Sequence, residues 1–229
     1  MGIELIIFDL AGTTVRDNKD VHRMLKNAMN VFGVSISIEE ANKVMGIPKP
    51  IAIKQLLEVK NYPDISPELI HHVHVEFVEQ MIEFYQNDAS VGEKEGVSNT
   101  FKVLKERGVK IAVDTGFDRQ ITDPLLARLG WKRNKLIDAS VTSDEVEHGR
   151  PFPDLIFKAM QLTGVTDVKR VIKVGDTPSD LQEGTNAGCQ FVIGVTSGAF
   201  SRTQLEVEPH THLVDQVPDI LNILELAEV

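Results

Sequence analysis

A chain of 229 residues with 42% hydrophobic and 25% charged residues has an ordinary globular composition and length for one large domain or two smaller ones. Its net charge of −10 and pI near 5.2 argue against nucleic acid or an anionic membrane as main partner, but not against a small anionic substrate held at a local positive site. One cysteine, Cys189, excludes an intramolecular disulfide framework, and with neither a signal-type start nor a bilayer-length apolar run the expectation is a soluble cytoplasmic protein.

The first element is a short apolar run, Leu5 to Phe8, that ends in Asp9 and then in small and hydroxylic residues. Such a run reads as a buried strand of a parallel sheet. From Val21 to Phe32 apolar residues recur at three- and four-residue steps, as on an amphipathic helix. Ser37 with Glu40 reads as a capping box opening a second helix. Met45-Gly46-Ile47-Pro48-Lys49-Pro50 breaks it; helical spacing resumes over Ile51 to Lys60 and Pro67 to Phe84. Residues 17–86 therefore read as all helical. From residue 87 strands and helices alternate: helix from Asn99 to Arg107, strand Lys110 to Thr115, helix Ile121 to Leu129, strand Leu136 to Thr142, helix Asp154 to Leu162. Strand Val171 to Val174, helix Asp180 to Ala187, strand Phe191 to Val195 and helix Asp219 to Leu226 complete the series. Alternation of this kind predicts βαβ units. The expected architecture is α/β: a discontinuous, Rossmann-like parallel-sheet core (1–16 and 87–229) with a helical insert (17–86) after the first strand.

Three predicted strand ends carry polar groups, Asp9, Thr115 and Asp176. In one parallel sheet they face the same edge, where α/β proteins bind ligands. Two carboxylates with room for water suit Mg²⁺. The Thr115 hydroxyl, backbone N–H groups near Gly12 and Gly116, and the planar fork of Arg150 are candidates for binding phosphoryl oxygens. Singly, each of these residues also has a plain reading as a turn cap or a solvated loop residue.

The order of Asp9-Leu10-Ala11-Gly12-Thr13, Thr115-Gly116, Arg150-Pro151 and Gly175-Asp176-Thr177-Pro178-Ser179-Asp180 resembles the haloacid dehalogenase superfamily with a helical cap. Ala11 replaces that family's usual second aspartate and Arg150 its usual lysine, a pairing that resembles the phosphonatase (phosphonoacetaldehyde hydrolase) branch. Met45-Gly46-x-x-Lys49 is similar to that branch's Schiff-base segment. The resemblance implies Asp9 as nucleophile and Lys49 as imine former. It further implies Asp9, the Ala11 carbonyl, Asp176 and Asp180 around Mg²⁺. Gly12, Thr13, Met45, Gly46, Thr115, Gly116 and Arg150 would surround a small phosphonate or phosphate. Ala52 and Phe117 stand where that branch has histidine and tyrosine, and its cap cysteine has no counterpart.

Without a carboxylate at position 11 an ester hydrolase lacks its usual proton donor, a contribution of typically ~10²–10⁴-fold. Cleavage of a carbon–phosphorus bond needs instead an electron sink, which an iminium on Lys49 supplies. The alternatives are a phosphomonoesterase whose leaving group needs no acid, and, ranked lowest, a non-catalytic binding protein on the same scaffold. The apolar helix Val21 to Phe32 has two readings: a cap–cap homodimer surface, as in phosphonatase, or cap core.

Overall fold

The computed structural model describes residues 2–227. Strand β1 (Leu5–Asp9) is followed by helices α1 (Asp20–Val31), α2 (Ile38–Asn42), α3 (Lys49–Val59) and α4 (Pro67–Asn87), with no strand among them. The chain continues through α5 (Val97–Glu106), β2 (Lys110–Thr115), α6 (Arg119–Leu129), β3 (Ala139–Thr142), α7 (Asp154–Thr163) and β4 (Val171–Gly175). It ends with α8 (Pro178–Ala187), β5 (Phe191–Val195), α9 (Arg202–Leu205), β6 (His212–Val214) and α10 (Ile220–Ala227). The strands form one sheet in the order β3-β2-β1-β4-β5-β6, and every pairing is parallel. The order reverses direction at β1, so the crevice beyond its carboxyl end, where Asp9 sits, is the place where such sheets bind ligands.

Alternation along β1 divides the core. Ile6, Phe8 and Leu10 face one apolar layer, whereas Leu5 and Ile7 face the other, with α7 residues Leu155, Ile156 and Ala159. A strand buried on both faces must be apolar throughout, which is why β1 reads as a continuous apolar run. Phe8 packs on Phe101 with ring centroids 5.0 Å apart, and Phe101 meets Trp131 edge-on at 5.2 Å. The buried Trp131 donates its Nε1–H to Glu93 Oε2 at 2.8 Å, satisfying the one polar atom its burial would strand.

The inserted helices begin where their caps place them. Ser37 and Glu40 form the expected capping box at α2, and Ser66 caps α4 ahead of Pro67. Helix α3 starts at Lys49, two residues before the predicted start. Pro50 is tolerated there because first-turn N–H groups have no intrahelical acceptor. Val21, Leu25, Ala28 and Met29 of α1 are buried within the monomer, so this face is occupied by the chain itself, while Val31 stays 61% exposed.

Other elements also differ from expectation: α4 runs on to Asn87, α5, α6 and α8 each start two residues early, and α9 was not expected. Strand β3 begins at Ala139 rather than Leu136; Leu136 and Ile137 are buried, but they fill the core from a turn, and burial without a ladder partner is not a strand. Strand β6, His212–Val214, went unpredicted because it has only three residues and only Val214 is buried.

Phe101→Ala removes the ring between Phe8 and Trp131. It is expected to cost about 3–5 kcal/mol, the usual range for a buried Phe-to-Ala change, read from urea unfolding.

Candidate active site

Beyond β1 the chain turns sharply: the Gly12 N–H donates to Val15 O at 2.9 Å and the Thr14 hydroxyl to Asp9 O at 2.7 Å. Gly12 has φ +89°, and a Cβ there would lie 2.3 Å from Asp176 Oδ2. Glycine is required both by the backbone conformation and by the closeness of that carboxylate. The turn thus brings β1 and the end of β4 together.

Five buried carboxylates, Asp9, Asp114, Asp176, Asp180 and Glu183, gather here around two buried cations, Arg150 and Lys173. Arg150 Nη1 donates to Asp9 Oδ1 at 2.8 Å and lies 2.9 Å from Asp180 Oδ1. Its Nε donates to Glu183 Oε2 at 3.0 Å, and Nη2 donates to Asp114. The Lys173 ammonium bonds Asp114 and sits 3.0 Å from Glu183 Oε2. Burial opposes the charge on both cations, but the surrounding carboxylates outweigh it and hold both protonated well above their ordinary values. Burial likewise opposes ionisation of Asp114, yet Arg150 and Lys173 leave its carboxyl below the usual range.

Two cations do not balance five carboxylates. Burial, then the charge of Asp180, pushes Asp9 up to about 8; the same two causes push Asp176 up to about 6. Asp9, Asp176 and Asp180 each offer an oxygen within 4.8 Å of the others. Asp180 Oδ1 is ion-paired with Arg150 and Lys173, while its Oδ2 accepts from the Thr177 N–H and hydroxyl at 3.1 and 2.6 Å. An all-oxygen set of three buried carboxylates carrying surplus negative charge fits a hard divalent cation. A second acidic trio, Asp114, Asp180 and Glu183, already encloses the Lys173 ammonium.

Above this network lies a small cavity of about 30 Å³. Its core wall is formed by Asp9, Ala11, Thr115, Gly116 and Arg150, and its opposite wall by Met45, Gly46 and Lys49 of the insert. The insert closes tightly. Gly46 has φ +84°, and a Cβ would lie 2.3 Å from Thr177 Oγ1; a Cβ on Gly116 would lie 3.0 Å from Gly46 O. Lys49 is 3% exposed. Its ammonium lies 5.4 Å from the Phe117 ring centroid and 5.8 Å from that of Phe77, with one weak bond to Ile47 O at 3.4 Å. No ion pair reaches it among the described residues. Burial lowers it from 10.5 to about 8, against the attraction of Asp9.

Most residues expected to act together do meet at this cavity. Thr13 and Gly12 stand behind its wall: the Thr13 hydroxyl donates to Asp176 Oδ1 at 3.0 Å and so orients a candidate metal ligand. The Arg150 fork, expected to be free for phosphoryl oxygens, is taken up by carboxylates. Asp114, Lys173, Glu183 and Lys94 were missed. Lys94 donates to the carbonyls of Gly12 and Ser197. A lysine inside the apolar run Val171 to Val174 was the available signal, since such a charge requires buried partners.

Lys173→Met leaves Asp114 and Glu183 buried with one cation fewer. It is expected to destabilise by about 3–5 kcal/mol in denaturant titrations, as does breaking a buried ion pair.

Comparison with known proteins agrees with this geometry. Residues 6–194 match the family described as haloacid dehalogenase-like hydrolase. The chain is 36% identical over 222 residues to the phosphonoacetaldehyde hydrolase of Bacillus cereus strain G9842, covering 91% of this chain and 82% of that one. The crystal structure of a phosphonoacetaldehyde hydrolase-like protein from Oleispira antarctica shares its fold with TM-score 0.85 at 22% identity, covering 98% and 92% of the two chains. A hydrolase from Pseudomonas syringae does so with TM-score 0.87 at 20% identity, covering 97% and 98%. The chain belongs to the haloacid dehalogenase-like hydrolases and resembles their phosphonoacetaldehyde hydrolase branch.

Proposed function

We propose that the protein is a Mg²⁺-dependent hydrolase that cleaves the carbon–phosphorus bond of a small phosphonate bearing an aldehyde, phosphonoacetaldehyde or a near relative. The observation that carries this reading is Lys49: a buried amine that no ion pair reaches among the described residues, lowered to about 8, sharing a cavity with Asp9. An amine that only bound an anion would gain from a high proton affinity, whereas an imine former must reach its neutral state. The absence of a side-chain carboxylate at Ala11, which lines the same cavity, fits a reaction whose leaving group needs an electron sink rather than a proton.

In this reading the Lys49 nitrogen adds to the aldehyde carbon and water leaves, giving an iminium. An Asp9 oxygen attacks phosphorus, and the carbon–phosphorus electron pair moves into the carbon chain to give the neutral enamine. Water then hydrolyses the aspartyl-phosphate to inorganic phosphate. The enamine takes a proton at carbon, and hydrolysis of the resulting iminium frees the product aldehyde and Lys49. Mg²⁺, held by Asp9, the Ala11 carbonyl, Asp176 and Asp180, would supply positive charge that keeps Asp9 ionised and tempers its repulsion from the phosphonate dianion. Arg150 holds Asp9 in place. Residues 17–86 act as a cap and 1–16 with 87–229 as the core, a division supported by the seam of Gly46 against Thr177. Substrate entry requires that seam to part.

Borohydride added with phosphonoacetaldehyde should leave a reduced adduct at Lys49 by mass spectrometry, and Lys49→Arg should abolish it. Phosphate release from simple phosphate esters with no Lys49 adduct would favour the phosphomonoesterase alternative instead. The neutral amine forms as pH rises through about 8, so the trapping rate should climb with pH, falling about tenfold per unit below that point. Chelation should abolish phosphate release and Mg²⁺ restore it. Asp9→Asn should release no phosphate while still forming the Lys49 adduct.

A further inference from the structure

The cavity contains a histidine that the reaction above does not use. His22, on the first turns of α1, is fully buried and lines the same cavity as Lys49. Its Nε2 lies 2.8 Å from Asn42 Oδ1. Lys19 Nζ donates to that same Asn42 atom at 3.0 Å. An ammonium can only donate, so the shared atom is an amide oxygen, and Nε2 of His22 must carry the hydrogen. In the neutral ring Nδ1 is therefore the lone pair, and this atom is buried without a hydrogen-bond partner. Asp17 Oδ2 stands 3.9 Å from Nδ1, while Asp17 Oδ1 accepts the Asp20 and Val21 N–H groups at 2.7 and 3.2 Å. The carboxylate is thus fixed at the start of α1, beside the atom that becomes charged when His22 takes a proton.

We propose that His22 is a further catalytic residue, an acid–base relay whose Nδ1 accepts a proton from the Lys49 ammonium and returns it to the departing carbonyl oxygen. The proposal rests on the imine-forming reading of Lys49. The Lys49 ammonium gives one proton to Nδ1, and the freed amine adds to the carbonyl carbon. One nitrogen proton passes to the carbinolamine oxygen. His22 adds the borrowed proton, and the oxygen leaves as water, giving the iminium with no net change in protons. Asp17 faces the transient imidazolium and stabilises it. Burial, and the positive charges of Lys19 and Lys49, act against a lasting proton on His22; Asn42 and Asp17 act for it. Those opposing influences suit a group that must release what it takes up.

The test is the pre-steady-state rate of borohydride trapping at Lys49 with phosphonoacetaldehyde in wild type, His22→Ala and His22→Gln. Glutamine keeps an N–H donor for Asn42 and much of the ring's volume, so it guards against loss of fold. Both variants are expected to trap more slowly by about 10²–10⁴-fold. Added imidazoles should restore His22→Ala in proportion to their basicity, which a packing role would not produce. Wild-type trapping rates in either folded variant, or slow trapping that no imidazole restores, would overturn the role of His22 alone. No adduct in the wild type would overturn the imine reading and this relay together.

Discussion

The site depends on a few buried ion pairs that must be satisfied together. Arg150 touches four carboxylates, and three of these also surround Lys173. Within a protein interior, removing any one partner strands another charge. The network therefore fixes the ends of β1, β2 and β4, the Arg150 loop and the start of α8 relative to one another. Asp9 inherits its position from that rigidity, and the deficit of positive charge is left where a divalent cation and a dianionic group would meet.

Much of this arrangement was legible from residue order. Apolar runs ending in Asp9, Thr115 and Asp176 revealed a parallel sheet with one polar edge, because a strand buried on both faces tolerates polarity only where it ends. Ser37 with Glu40 revealed a helix start, because the two groups satisfy each other's backbone donors. The partners of Arg150 were not legible. Glu183 and Asp114 lie 33 and 36 residues away from it, and nothing local distinguishes an acid that faces inward from one on a solvated helix. His22 was hidden for the same reason: on an amphipathic helix it counts as one more inward position, and only Asn42, 20 residues on, reveals which nitrogen is free.

The insert and the core meet through backbone as much as through side chains. Gly46 lies against the Thr177 side chain, and Gly116 lies beneath the carbonyls of Gly46 and Ile47, so the two walls approach closely. Phe117 adds the complementary contact, lying 6.3 Å from the Phe77 ring and 6.1 Å from that of Tyr85. Close approach of this kind leaves little room for water beside Lys49, and the same dryness lowers its proton affinity. Packing and acidity are one property of this seam.

The two phenyl faces beside Lys49 have a consequence for ligand traffic. An ammonium group buried next to an aspartate would be well stabilised, but the aspartate would also repel any incoming dianion. Rings attract a cation through their quadrupoles without carrying a net charge. Phe77 and Phe117 therefore shelter positive charge without adding a net negative charge to the cavity. Neither ring needs a particular hydrogen to hold on to the ammonium. A phenylalanine at position 117 in place of a tyrosine makes that shelter entirely free of exchangeable protons.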